Sequence, residues 1–180
     1  MLKINMMCGK RNWGPDWVHI DGADYDHIWH QGIKLYVFPP GTVDYLYCSH
    51  GLAYFYLDEA RGLLKAWHEA MAPGAMLRIA TPDLDVLTKL YQSGVKWDKI
   101  KGPMYGRMML NDKEIFHKTC YDEKTLAALL TECGFINIKR YDHRETQHPN
   151  TGNREDFYDD HSAAYINGIL ISLNMQCVKP

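Results

Sequence analysis

Four short stretches of this chain carry residues whose types and spacing could do chemistry: Cys8-Gly9-Lys10, Asp21-Gly22, Ser49-His50 and Thr81-Pro82-Asp83. Gly9 lets a ligand approach the backbone where a Cβ would clash, and the Asp21 carboxylate can accept both hydroxyls of a ribose. Together they point to a nucleoside-bearing ligand, with ordinary turn chemistry as the competing account of both residues. His50 has an imidazole whose usual pKa suits proton transfer near neutrality, and Tyr54, Asp83 and His117 are the other candidate bases. Each has a structural alternative: a hydrogen bond at a strand end for His50, core packing for Tyr54, a helix cap for Asp83 and loop surface for His117.

Two further groups of residues bear on metal and thiol chemistry. His143, His148 and His161, with Asp156, Asp159 and Asp160, offer imidazole and carboxylate donors, but their spacing matches no zinc pattern and no metal is expected. Cys8, Cys48, Cys120, Cys133 and Cys177 are an odd number without a C-x-x-C pair, which suits reduced thiols.

The elements that must position these residues alternate. The segments 2–8, 17–20 and 43–48 read as short strands that end at the first three turns. Ala60, Leu63, Leu64, Trp67 and Met71 then recur at helical spacing after Asp58, a plausible cap, and Pro73-Gly74 stops that helix. A strand over 75–80 leads through Thr81-Pro82-Asp83 into a helix with Leu84, Leu87, Leu90 and Tyr91 on one face. Residues 93–118, broken by Gly102-Pro103 and Gly106, read as a lid or insertion, and Trp97, Met104, Tyr105, Met108 and Met109 could close over a substrate. Asp122 caps a helix that Gly134 ends, Ile136 and Ile138 mark a half-exposed strand, and 142–160 reads as a long loop. The strict alternation of Ile171, Leu173, Met175 and Cys177 with Ser172, Asn174 and Gln176 predicts a last strand.

Strands alternating with helices predict an α/β fold, a doubly wound and mostly parallel sheet, in which ligands bind at the carboxyl ends of the strands. The length of 180 residues predicts one domain over 1–180. Composition is globular, with 46% hydrophobic and 23% charged residues, which excludes a disordered or fibrous chain. A formal charge of −2 provides no overall basic field, so nucleic acid and acidic membrane surfaces are not expected partners. With no apolar run of membrane-spanning length and no signal-peptide pattern at the start, a cytoplasmic protein is expected.

Read together, INMMCGKRNWGPDWVHID, VDYLYCSHGLAYF, LDEARGLLKAWHEAMAPGAMLRIATPD and TLAALLTECGFINIKRY resemble successive motifs of class I S-adenosylmethionine-dependent methyltransferases, closest to small type 11-like members. The resemblance implies a Rossmann-like sheet of seven strands with the last antiparallel, S-adenosylmethionine as cofactor, and methyl transfer to an unidentified acceptor, expected to be a small molecule. It places Met7, Cys8, Gly9 and Lys10 in the first cofactor loop, Asp21 and Gly22 at the ribose, Leu35 and Tyr36 at the adenine wall, and Ser49 and His50 in the transfer crevice. Catalytic expectations fall on His50, Tyr54 and His117.

The departures from the family pattern are specific. Two of its three glycines correspond to Met7 and Arg11, and its H-x-L-E-H reads His50-Gly51-Leu52-Ala53-Tyr54, without the carboxylate. Residues 10–16 are too few for the usual first helix and predict a loop, which can span roughly 23 Å. The losses support an alternative, a non-catalytic binding or interaction protein of the same architecture. A dinucleotide enzyme is a third reading, disfavoured by the missing helix whose N-terminus would hold a pyrophosphate.

Overall fold

The computed structural model describes residues 1–29, 32–145 and 163–180. In chain order the elements are β1 (Lys3–Met6), β2 (Val18–Ile20), β3 (Val43–Ser49), α1 (Leu57–Ala70), β4 (Met71–Pro82), α2 (Leu84–Gln92) and α3 (Trp97–Tyr105). There follow a hairpin of β5 (Met108–Leu110) and β6 (Lys113–Ile115), then α4 (Glu123–Glu132), β7 (Ile136–Arg140), a second hairpin of β8 (Tyr165–Ile166) and β9 (Ile169–Leu170), and β10 (Ser172–Val178). No helix among the described residues is long and apolar enough to cross a membrane.

The central sheet has the order β2-β1-β3-β4-β10-β7. β1 to β4 are mutually parallel, and β10 is antiparallel to both β4 and β7. The fold is therefore Rossmann-like α/β with an antiparallel last strand, as expected, but the sheet has six strands among the described residues rather than seven. Turns occupy the stretch between β2 and β3 where a further edge strand would lie. Leu35 N–H donates to Gly32 O and Phe38 N–H to Leu35 O, each at 3.0 Å, and Leu35 has φ of 61°, outside strand geometry. Trp67 Nε1 donates to Ile33 O at 2.7 Å and draws this stretch inward, so that Leu35 joins the core.

Residues 10–16 form a loop, as their number requires. α1 buries Ala60, Leu63, Leu64 and Trp67 against the sheet. Its cap is Tyr56 rather than Asp58: the Tyr56 N–H donates to Glu59 Oε2 at 2.8 Å, and Asp58 sits in the first turn, where its charge favours the helix dipole. The lid region, read as irregular in sequence, is α3 plus the β5–β6 hairpin. α4 starts at the Asp122 cap, whose carboxylate accepts the Thr125 N–H at 2.7 Å, and ends before Gly134 with φ of 95°.

β10 has the predicted alternation, but its polar side is not a solvent face. Ser172 and Asn174 are buried, because the strand lies inside the sheet between β4 and β7. Gln176 Oε1 accepts from Arg78 Nη2 at 3.1 Å, so this side of the strand carries polar pairs under cover. Of the loop expected over 142–160, residues 146–160 lie outside the described residues.

Candidate functional site

The carboxyl ends of β1, β2 and β3 open on a cavity of about 830 Å³, roofed by α3 and the β5–β6 hairpin. The switch between parallel neighbours puts it where α/β sheets take ligands. Met7, Gly9, Lys10, Asp21 and Gly22 reach it from the loops after β1 and β2, Ser49 and His50 from the end of β3, and Tyr54 from the turn beyond. His117 completes it from the lid side.

Asp21 organises the floor. Its Oδ2 accepts the Gly9 N–H at 2.8 Å and its Oδ1 the Ala23 N–H at 2.7 Å, so one buried carboxylate joins the loops that follow β1 and β2. Gly9 has φ of 57°, a conformation that side chains resist, while a Cβ there would meet nothing within 4 Å; the space above the loop is open. Met7, at a family glycine position, holds φ of 53° and its side chain lies over Gly51, where a Cβ would fall 2.3 Å from Met7 Sδ. The thioether thus takes room vacated by a neighbouring glycine, and the cavity stays open beside it.

Sequence reasoning missed Arg11, read there only as a lost glycine. Its guanidinium lines the cavity, with Nη1 donating to Cys8 O at 3.3 Å and Nε buried without a hydrogen-bond partner among the described residues. Its positive charge at the cavity wall favours an anionic guest. The loop that carries it is fixed by His19, whose Nε2 accepts the Trp13 N–H at 2.8 Å. That bond needs neutral imidazole, and burial, aided by His27, pushes the His19 pKa below its usual 6.5.

Around His50 the groups differ in chemical capacity. His50 Nε2 lies 3.0 Å from Ser172 Oγ, a partner on β10 that sequence reading placed only in a strand. Tyr54 donates its O–H to Gly106 O at 2.6 Å, and burial raises its pKa to about 12, so it remains a phenol at neutral pH. Its ring meets His117 edge-on, centroids 4.6 Å apart, and His117 Nδ1 lies 3.1 Å from Pro103 O. Gly106 has no room for a Cβ, which would come within 2.1 Å of His117 Nε2. Both side chains are bound up in holding the lid.

Four residues singled out in sequence stand elsewhere. Cys8 is buried beneath Gly9 with its thiol pushed up to about 12 by burial, which leaves it protonated and unreactive. Leu35, which is in the core, and Tyr36, which is 74% exposed, do not line the cavity. Asp83 is fully buried, accepts the Val86 N–H at 3.2 Å as the cap of α2, and pairs with Arg140 Nη2 at 3.0 Å. Of the conceivable metal donors, His148, Asp156, Asp159, Asp160 and His161 lie outside the described residues.

The hairpin reaches the far rim. Asn111 Nδ2 donates to Gly22 O at 3.3 Å and Asn111 Oδ1 accepts the Asp24 N–H at 3.2 Å, which straps the lid to the loop after β2.

No protein-family model and no curated protein sequence matches the chain. Solved structures do match it. A SAM-dependent methyltransferase from Thermotoga maritima superposes with a TM-score of 0.57 at 11% identity, over 99% of this chain and 82% of that one. One from Archaeoglobus fulgidus gives 0.56 at 16% identity, over 98% and 85%. Burkholderia thailandensis 1,6-didemethyltoxoflavin-N1-methyltransferase, solved with its acceptor and S-adenosylhomocysteine, gives 0.54 at 12% identity, over 99% and 70%. The chain has the fold of class I S-adenosylmethionine-dependent methyltransferases.

Proposed function

We propose that this cavity binds S-adenosylmethionine and that the protein transfers its methyl group to a small-molecule acceptor. The observation that carries the reading is the Gly9–Asp21 hydrogen bond at the open carboxyl ends of β1 and β2. Each Asp21 oxygen keeps acceptor capacity after one backbone N–H, enough for the hydroxyls of a ribose. Arg11 supports the fit, since it lines the cavity with a positive charge that the carboxylate in the methionine portion of the cofactor would balance.

When bound, the cofactor supplies an electrophilic methyl on a sulfonium. The chain's own residues then align an acceptor and keep water out. His50, at the end of β3 and beside Ser172, takes the acceptor's proton where there is one to remove. Tyr54 and His117 secure the lid through Gly106 and Pro103. Calorimetric titration with S-adenosylhomocysteine tests the cofactor assignment.

One observation favours a second reading. Ala53, where the family pattern has its carboxylate, is buried in the core, consistent with a binding protein of this fold that has no turnover. S-adenosylhomocysteine binding without methyl transfer to any acceptor that the cavity admits supports that reading over the first.

A further inference from the structure

We infer that the acceptor taken by this cavity is a small planar molecule with a negative charge, of the aromatic carboxylate class, and not a protonated amine. The inference rests on the methyltransferase reading and names the substrate class of the same site.

Charge is segregated along the chain. Residues 89–118, which contain the lid, hold seven Lys and Arg against three Asp and Glu, a balance of +4, while the remainder holds thirteen against nineteen, a balance of −6. The net charge of −2 conceals this asymmetry. It continues into the cavity: beside Arg11, proposed to meet the cofactor's carboxylate, Lys10, Lys101 and Arg107 line it against a single side-chain carboxylate, Asp21. Lys101 and Arg107 pair with Asp98 and Glu114, but those are exposed ion pairs of the kind that contributes little and yields readily to a better partner.

A protonated amine entering here meets more cations than carboxylates, since among the described lining residues Asp21 alone carries a negative charge. The sulfonium of the donor adds to that repulsion. An anion meets the opposite field. The lining also includes Tyr105, Met108, Ile115, Phe116 and Ile171, an apolar and aromatic set that suits a flat ring.

The chemistry needs nothing further. An acceptor oxygen attacks the methyl carbon, the new C–O bond forms as the S–CH3 bond breaks, and the electron pair of that bond stays on sulfur as a neutral thioether. A carboxylate reacts without losing a proton, and a phenol passes its proton to His50.

The test is calorimetric titration of the intact protein at pH 7 with 4-hydroxyphenylacetate and with tyramine, which share a ring and differ in charge, each with and without saturating S-adenosylhomocysteine. The expected result is tighter binding of 4-hydroxyphenylacetate by at least about tenfold, with the ratio falling to about threefold or less in the Lys101→Gln/Arg107→Gln variant. Equal or tighter binding of tyramine overturns the inference. So does binding of neither molecule while S-adenosylhomocysteine binds. If S-adenosylhomocysteine itself fails to bind, the cofactor reading falls, and the charge preference is still decided by the titrations without it.

Discussion

Asp21 accepts the backbone N–H of Gly9 at 2.8 Å, and this bond ties the loop after β1 to the end of β2 at the floor of the cavity. The carboxylate therefore has two jobs, since it shapes the loop after β1 and stands where the ribose is proposed to lie. Asp21→Ala should lower stability by about 1–3 kcal/mol, because two backbone donors lose a charged partner. It should weaken S-adenosylhomocysteine binding by a comparable amount. Denaturant titration and calorimetry read the two effects separately, and unchanged affinity in a folded variant places the ribose elsewhere.

Met7 and Gly51 should behave as a complementary pair. Gly51→Ala puts a Cβ 2.3 Å from Met7 Sδ and 2.8 Å from Met7 Cβ, an overpacking that should cost about 1–3 kcal/mol. Met7→Gly removes the two closest atoms, leaving Cys48 Sγ at 3.0 Å, and suits the positive φ, so the double variant should recover much of the loss. A double-mutant cycle on unfolding free energies measures the coupling, and strict additivity contradicts this packing.

Stability should fall as the pH drops through 6.5. Burial lowers the pKa of His19, and burial with the charge of Lys179 does the same for His68. The unfolded state then binds protons that the folded state refuses, so the contribution is complete above the ordinary imidazole value and is lost progressively below it. His19→Gln/His68→Gln should flatten this part of the profile. Equal slopes for variant and wild type between pH 7 and 5 rule these two groups out as its source.

Tyr54→Phe should loosen the lid without removing a base. The change deletes the O–H donor to Gly106 O and keeps the ring against His117. Faster amide hydrogen exchange over 97–118 is the expected result, with no change in the acidic limb of any activity profile. A lost acidic limb, with exchange unaltered, makes Tyr54 a base instead.

Local patterns told the truth about the elements. Alternation in 171–177, the 3.6-residue period of α1 and the Asp83 and Asp122 caps all concern neighbours in sequence, and all reappear in the structure. What sequence could not show was set by distant contacts. Leu35, expected at the adenine wall just before a Pro-rich turn, is in the core because Trp67 holds that stretch inward through Ile33 O. Ser172 reads only as part of an alternating strand, and its closeness to His50 depends on where that strand lies in the sheet. Arg11 was visible only as a departure from a glycine pattern; its role depends on the roof built by residues 97–117.

The most direct measurement of the central claim is isothermal titration of the wild-type protein with S-adenosylhomocysteine at pH 7.5, alongside Arg11→Gln. The account predicts one site per chain, with affinity reduced in the variant by about fivefold or more as a charge-assisted partner is lost. Absence of heat and of competition with S-adenosylmethionine up to about 1 mM, a ceiling that corresponds to roughly −4 kcal/mol, contradicts it.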